Sequence, residues 1–569
     1  MPGFLYINNN NNINIDIEIK SLNKNLVIDE MKHENIYLKR FTNNKFLNDK
    51  LFFQDNESIV VIDGVILNLS KLREDNEDNF SLVKRLYKKY GNDFFKYFKG
   101  EFSGLLYDKI EKKTIVYTNQ IGSKNIFYYK NENCFIVSSE LKVIVQVLKK
   151  LKIKYSINEF GCQCLLTYGY MLEDITLINE ITKLTAGNYL TYKNRELEKI
   201  NYFRLQNEPY LKEDKDEIIE NLDKLFREAV RIQFNKDDEY NYKYIAPLSG
   251  GLDSRMTVMV ANELGFNDCL NVTCSQNDYL DEKIAKKIAS DINNKWLFFS
   301  LNNGNYLKNI DECLICNDGM ALYSGSAHVL EMFKNINFRR YGIYHSGQIG
   351  DAVLGSFLSS PNKNKPSIND GAYSNLIIRN MENQLKEIIK NYDSEEIFKF
   401  YNRAFNGTFN GDWTINQFTE SASPFCDIDF LQYALRIPPK YKYKEKIYIE
   451  WILKKYPNIA KYKWERTGIK PTLFNNKVRI YAYSEKMIRK IFVKKQRSMN
   501  PFDDWYKENT QLKTYVNQYL IDNIQLLSSY PDLLNNCNYL IEKGSLIEKT
   551  QVMTLLGAIK LFIKDELPS

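Results

Sequence analysis

The stretch Tyr244–Thr257, YIAPLSGGLDSRMT, decides how the chain is read. Tyr244, Ile245 and Ala246 predict a buried strand. A loop follows, holding Ser249, Gly250, Gly251, Asp253 and Ser254, and a helix opens near Arg255. Two adjacent glycines let the backbone approach a ligand closely and turn N–H groups toward it. The helix start adds the positive end of a dipole. The product is a cradle for an anion of pyrophosphate size. The spacing is not that of the P-loop, and no lysine follows the glycines. A plain turn between strand and helix is the competing reading.

Outward from this loop, the order alternates. A long amphipathic helix over Glu213–Phe234 precedes it, with Ile218, Ile219, Leu222, Leu225, Phe226, Val230 and Ile232 at helical spacing. After it come a strand at Cys269–Cys274, a helix at Asp281–Asp291 and a strand at Lys295–Ser300. That βαβα order predicts a doubly wound parallel sheet. Beyond residue 370 the pattern is helical to the end. Residues up to about 200 are β-rich, with runs at Ser58–Leu67, Glu101–Tyr107, Thr114–Asn119, Asn125–Tyr129, Cys134–Ser138 and Asn188–Tyr192. Helices are expected at Phe80–Tyr90 and from Glu140. The polar stretch LQNEPYLKEDKD places the boundary near 205–212, giving domains 1–205 and 212–569.

Composition narrows the classes. A chain of 569 residues with 44% hydrophobic and 14% aromatic residues can bury a large core. A formal charge of +7, with both signs interspersed, argues against a nucleic-acid partner. No apolar run reaches membrane-span length and the start carries no signal pattern, so the expectation is a cytoplasmic protein without a membrane partner. Nine Cys suit a reducing compartment. With three His in all, the pairs Cys162/Cys164 and Cys313/Cys316 do not make a structural zinc set. The asparagine run Asn8–Asn12 reads as a loop or strand-edge expansion.

SGGLDS resembles the pyrophosphate loop of enzymes that split ATP between its α and β phosphates. Further segments extend the likeness. Cys274–Ala289 (CSQNDYLDEKIAKKIA) resembles a strand-loop-helix after an adenine site; Asp281 and Glu282 there read equally well as a helix N-cap or as functional acids. His345–Phe357 (HSGQIGDAVLGSF) resembles a second ATP-site loop, SGEGxDExxGGY. Glu420–Lys446 resembles an E-R-PFLD segment and its following lysine. Tyr462–Pro471 (YKWERTGIKP) sits where a catalytic lysine precedes a glycine. In the first half, DGVILN (63–68), GEFSGLLYD (100–108), TNQIGSKNIFYY (118–129), SSELK (138–142) and TLINEITKLTAG (176–187) resemble a class II glutamine amidotransferase domain. From residue 1 to about 475 the chain thus resembles the asparagine synthetase family, which includes β-lactam synthetases and lasso-peptide cyclases.

The resemblance implies an α/β fold: an Ntn-hydrolase-like αββα domain, then an adenine-nucleotide α-hydrolase-like domain with a helical C-terminal part. It implies ATP and Mg²⁺, with Asp253 and Asp351 holding the metal. Leu248, Ser249, Gly250, Gly251, Asp253, Ser254, Val272, Ser346 and Gly347 would hold the nucleotide. Lys446, Gln348 and Arg466 would stand at catalytic positions, with Lys463 the alternative to Arg466. The partners implied are a small-molecule or peptide carboxylate and ammonia or an amine; a homodimer stays open.

Departures matter as much. The amidotransferase nucleophile is a Cys exposed once Met1 is removed, and here Pro2 stands there, without a thiol. The arginine segment expected near 40–55 is missing, the oxyanion Asn is Asp63, and its neighbouring Glu is Val65. A negative Asp opposes a developing oxyanion. The expectation is therefore no glutamine hydrolysis. In the second half, the glutamate taken as proton acceptor is Gln348, and an amide cannot be that base. Three functions remain open: an AMP-forming amide ligase, another pyrophosphate-loop transferase acting through sulfur or on tRNA, and a decayed nucleotide-binding homologue.

Overall fold

The computed structural model describes residues 2–9, 16–472 and 498–563. Asn10–Asn12 of the asparagine run, and parts of the C-terminal region expected to be helical, lie outside them. Two six-stranded antiparallel sheets form the first half. One contains Gly3–Asn9, Val27–His33, Ile36–Thr42, Phe127–Lys130, Cys134–Ser138 and the short Thr182–Lys183; the other contains Phe52–Gln54, Ser58–Ile66, Gly100–Asp108, Lys113–Thr118, Asn188–Lys193 and Glu196–Asn201.

Period-two alternation decides the layers. In Gly3–Asn9, Phe4 and Tyr6 pack between the sheets with Val61, Leu105 and Val116, whereas Leu5 and Ile7 pack outward against helix Leu141–Lys150. On the far side, Val60 and Ile62 meet Leu82, Val83 and Leu86 of helix Asn79–Tyr90. The result is the expected helix-sheet-sheet-helix sandwich.

The second half is built on a five-stranded parallel sheet in the order Lys295–Ser300, Leu270–Ser275, Lys243–Pro247, Tyr341–His345, Ser421–Ala422. The chain starts in the middle strand, works to one edge, then returns to fill the other. A crevice opens at the carboxyl ends of strands where the winding reverses. Here that point lies between Lys243–Pro247 and Tyr341–His345, whose following loops are SGGLDS and SGQIGD. Asp237, on helix Lys215–Glu239, fixes the second strand: it accepts from the N–H of Ile343 at 2.8 Å and meets Nε2 of His345 at 2.8 Å. The His345 ring stacks on Phe234 with centroids 3.7 Å apart.

The boundary near 205–212 falls between the last strand, Glu196–Asn201, and helix Lys215–Glu239. The halves nevertheless share a core. Helix Glu159–Tyr168 packs against the C-terminal helix Leu546–Ile563, where Nε2 of Gln551 donates to the carbonyls of Leu165 and Thr167, each at 3.5 Å. Phe46, Val65 and Leu67 of the sandwich pack on Ile343 and Ala422 of the parallel sheet.

Candidate active site

A cavity of about 320 Å³ lies at the winding reversal, lined by Ser249, Gly251, Asp253 and Ser254 from one loop, Gly347 and Asp351 from the other, Glu445 and Tyr448 from a later helical segment, and Arg466 from a turn beyond it. The two loops touch through backbone. The N–H of Asp351 donates to Oδ2 of Asp253 at 3.0 Å, and the Tyr448 hydroxyl donates to Oδ1 at 3.0 Å. Burial, then the adjacent Asp351, push Asp253 well above the usual carboxylate range. The approach tolerates no side chain at Gly347: a Cβ there would sit 2.5 Å from the Asp253 carbonyl carbon and the Ser254 nitrogen. Two residues on, Ile349 has φ 59°, the left-handed region that a β-branched residue avoids. Such strain persists only where the surroundings fix it.

The cradle departs from the sequence expectation in one respect. Its amides do not all face an anion. The N–H of Ser249 goes to Oγ of Ser254 at 3.0 Å, that of Gly251 to Oγ of Ser249 at 3.1 Å, and that of Gly250 to Oδ1 of Asp281 at 2.6 Å. Short hydroxyls lie within reach of their own loop, so they close it. Asp281 is buried and burial lifts it to about 6. It caps the Gly250 amide, and its role is thus architectural. The Gly250 carbonyl is held as firmly, by Nη2 of Arg255 at 2.9 Å and the N–H of Glu465 at 3.0 Å. Arg255 is fully buried and also donates to the carbonyls of Lys463 (2.8 Å), Ile459 (3.3 Å) and Tyr462 (3.5 Å). This staple ties the glycine loop to the segment bearing Arg466.

Arg466 reaches the cavity and Lys463 contributes its backbone carbonyl to the staple. Both Glu445 oxygens accept from Nη1 of Arg466, at 2.6 and 2.7 Å, while Nη2 stands 3.4 Å from Asp351. Burial pushes Glu445 up against the pull of Arg466. Lys444 and Glu445 have φ 59° and 58°, a left-handed pair that turns the chain just before helix Lys446–Lys455. Lys446 itself is exposed at that helix start, and its segment meets the cavity through Glu445 and Tyr448 instead. Leu248 and Val272 are buried in the sheet, the N–H of Leu248 bonded to the Val272 carbonyl at 2.9 Å, and Oγ1 of Thr273 occupies the Leu248 carbonyl at 2.6 Å. Ser346 and Gln348 line a second, smaller cavity. Sequence reasoning missed Arg255, Glu445 and Tyr448. Arg255 was visible beside the glycine loop; the other two carry no local signal.

Around the expected amidotransferase centre, buried ions pair across the halves. Glu420 takes Lys50 at 2.6 Å on one oxygen and Lys124 at 2.6 Å on the other, and Oδ1 of Asp63 accepts from Thr42 at 2.7 Å. Burial works against ionisation of Glu420, but the two lysines bring it down to about 2. Among the described residues no group of three or more His, Cys, Asp or Glu is arranged to hold a metal, and no helix is long and apolar enough to cross a membrane.

Comparison with known proteins finds likenesses over parts of the chain. Residues 47–203 match the model of a glutamine amidotransferase domain, a match that does not include the region of Pro2. A protein of Methanocaldococcus jannaschii, named as a candidate glutamine-hydrolysing asparagine synthetase, is 31% identical over 38% of this chain and 43% of its own length. Amidases of Gibberella zeae and Penicillium rubens are 24% and 26% identical over 36% and 35% of this chain, spanning 31% and 30% of theirs. The chain thus spans less than half the length of the curated relatives it matches. Among solved structures, the Bacillus subtilis glutamine phosphoribosylpyrophosphate amidotransferase aligns over 47% of this chain and 77% of its own, a loose superposition at 11% identity and a TM-score of 0.23. The chain is thus similar over 38% of its length to a protein named as an asparagine synthetase, and at residues 47–203 it matches a glutamine amidotransferase domain.

Proposed function

We propose that the chain is an ATP-dependent, AMP-forming amide synthetase that activates a carboxylate and joins it to ammonia or an amine. One observation carries the reading: Asp253 and Asp351, from two glycine loops at the winding reversal, share a cavity and a hydrogen bond. A buried Asp253 carboxylate raised further by the charge of the half-exposed Asp351 calls for a compensating cation, and hard oxygen donors suit Mg²⁺. Asp253 and Asp351 would hold it, and when bound it would offset the charge building on pyrophosphate as that group departs.

The chain's own groups supply the rest. The first-turn amides of helix Asp253–Glu263 have no partners within their helix and favour an anion. Tyr448 fixes the Asp253 carboxylate, and Glu445 holds Arg466 at the cavity mouth, where its guanidinium suits a phosphate or a developing oxyanion. The carboxylate substrate attacks the α-phosphorus, the amine then attacks the acyl carbon, and AMP leaves. Placement and charge stabilisation do the catalysis.

A silent nucleotide-binding role is the second reading, favoured by the three cradle amides already taken up within the protein. Sulfur transfer is disfavoured because burial raises the Cys274 thiol to about 12 and Cys426 well above its usual range, so neither is a ready thiolate. The deciding measurement is pyrophosphate release from ATP with a panel of carboxylates, with and without ammonium. Release that depends on the acid, and is abolished in Asp253→Ala, supports the ligase. ATP binding with no release for any acid supports the silent role.

A further inference from the structure

The smaller cavity, about 20 Å³, lies where the two halves of the molecule meet. Glu101 and Lys124 line it from the sandwich; Gln348, Asp412 and Ser421 line it from the other half. That volume suits one water molecule with several polar partners. The loop Ser346–Gln348 partitions the two cavities: Gly347 lines the larger, Ser346 and Gln348 the smaller. Oε1 of Gln348 is shielded from solvent and has no hydrogen-bond partner, a cost the fold does not otherwise offset. Nε2 of Gln348 lies against Gly411, beside Asp412: a Cβ on Gly411 would stand 3.2 Å from it. Oδ1 of Asp412 accepts from Oγ of Ser421 at 2.5 Å, and Oε2 of Glu101 accepts from Asn119 at 3.2 Å.

Amide formation creates a proton that must go somewhere. As the nitrogen bonds to the acyl carbon and the carbon–oxygen bond to AMP breaks, AMP departs with the bonding pair and the nitrogen sheds one proton. No carboxylate on the partition can receive it, since Gln348 is an amide. We propose that Asp412 and Glu101 are the proton-accepting pair of this step, reached past Gln348 through a single water held in the smaller cavity. The proton passes from nitrogen to that water, and the water gives one of its own to the carboxylate; nothing is oxidised or reduced. The inference rests on the ligase reading.

The pair has suitable chemistry. Burial lifts Glu101 to about 7 and Asp412 to about 7, with Glu101 adding to the rise at Asp412 and Lys124 opposing both. Asp427 faces Glu101 as a further acid; Cys426 stays protonated through burial, and Glu420 is neutralised by Lys50 and Lys124. Near neutral pH such a pair holds a proton on one member and offers the other as base.

The test compares two half-reactions on the full chain, using whichever carboxylate supports ATP–pyrophosphate exchange, with ammonium chloride as the nitrogen source. In the unaltered protein, amide formed per pyrophosphate exchanged, with total ammonium adjusted to hold free ammonia constant at every pH, should rise with pH through about 7. Asp412→Asn should lower that ratio roughly 10²-fold, and Gln348→Glu added to Asp412→Asn should recover at least a tenth of it. A ratio unchanged in both Asp412→Asn and Glu101→Gln, with exchange running, overturns the proposal. Should the variants not fold, a pH-independent ratio in the unaltered protein overturns it equally. No exchange with any carboxylate in the unaltered protein refutes the ligase reading itself, and this inference with it.

Discussion

Arg466 grips both oxygens of Glu445 through one guanidinium nitrogen, at 2.6 and 2.7 Å, and turns its other terminal nitrogen toward Asp351. The guanidinium at the cavity mouth is therefore already held in place by an acid. On the ligase reading, Arg466→Ala should lower acid-dependent pyrophosphate release about 10²-fold. Arg466→Lys should recover little, because an ammonium cannot hold Glu445 and reach the phosphates at once. Steady-state release at saturating ATP checks both.

Arg255 lines neither cavity, yet its loss should be felt in folding. Four backbone carbonyls from two separated segments would each lose a donor in a buried place, Gly250 keeping the N–H of Glu465. Arg255→Met should destabilise the protein by about 3 kcal/mol. A lowered urea midpoint reads this out, and an unchanged midpoint would show that the staple is dispensable.

The carboxyl pair at the interface predicts a pH dependence of stability. Glu101 and Asp412 sit at about 7 in the fold, above the values their unfolded forms would have near 4. Between roughly pH 4 and 7 the folded state binds more protons than the unfolded one, so stability falls as pH rises across that window. Glu420, brought down to about 2, acts in the opposite sense: its contribution is present above about pH 4 and is lost on acidification toward 2. Glu101→Gln with Asp412→Asn should flatten the decline between about pH 5 and 7.5 in urea titrations.

Glutamine should not be hydrolysed. Pro2 brings no nucleophile, and the Glu420 ion pairs with Lys50 and Lys124 occupy the interior beside Asp63. Glutamate release from glutamine by the purified protein should stay at background, and Pro2→Ala should leave both this and ammonium-dependent activity unchanged.

Much of the architecture could be read from short-range pattern. Ser58–Ile66, Cys134–Ser138, Leu270–Ser275 and Lys295–Ser300 are strands where apolar runs placed them, and helices Asn79–Tyr90 and Leu280–Asp291 keep their expected ends within a residue or two. Gly3–Asn9, Val27–His33 and Ile36–Thr42 escaped notice. Val27–His33 is an edge strand whose charged residues pair with its neighbour, as Arg40 does with Asp29 at 2.9 Å, so it shows no apolar run. At the site, Asp253, Asp351 and Arg466 were legible because loops announce themselves through glycine. That Asp281 takes the Gly250 amide was not, because nothing local brings residues 250 and 281 together. Glu445 was hidden in the same way: two left-handed residues turn it inward, and neither is a glycine.

Helix Leu546–Ile563 closes against Glu159–Tyr168 across a separation of 386 residues between Gln551 and Leu165. During synthesis at about 5–20 residues per second, the earlier helix must wait roughly 20–80 s for its cover. For that interval helix Glu159–Tyr168, whose Cys162, Leu165 and Leu166 are buried in the finished molecule, lacks part of its cover. A version cut short before Leu546 would leave the part of that face covered by the last helix open for good.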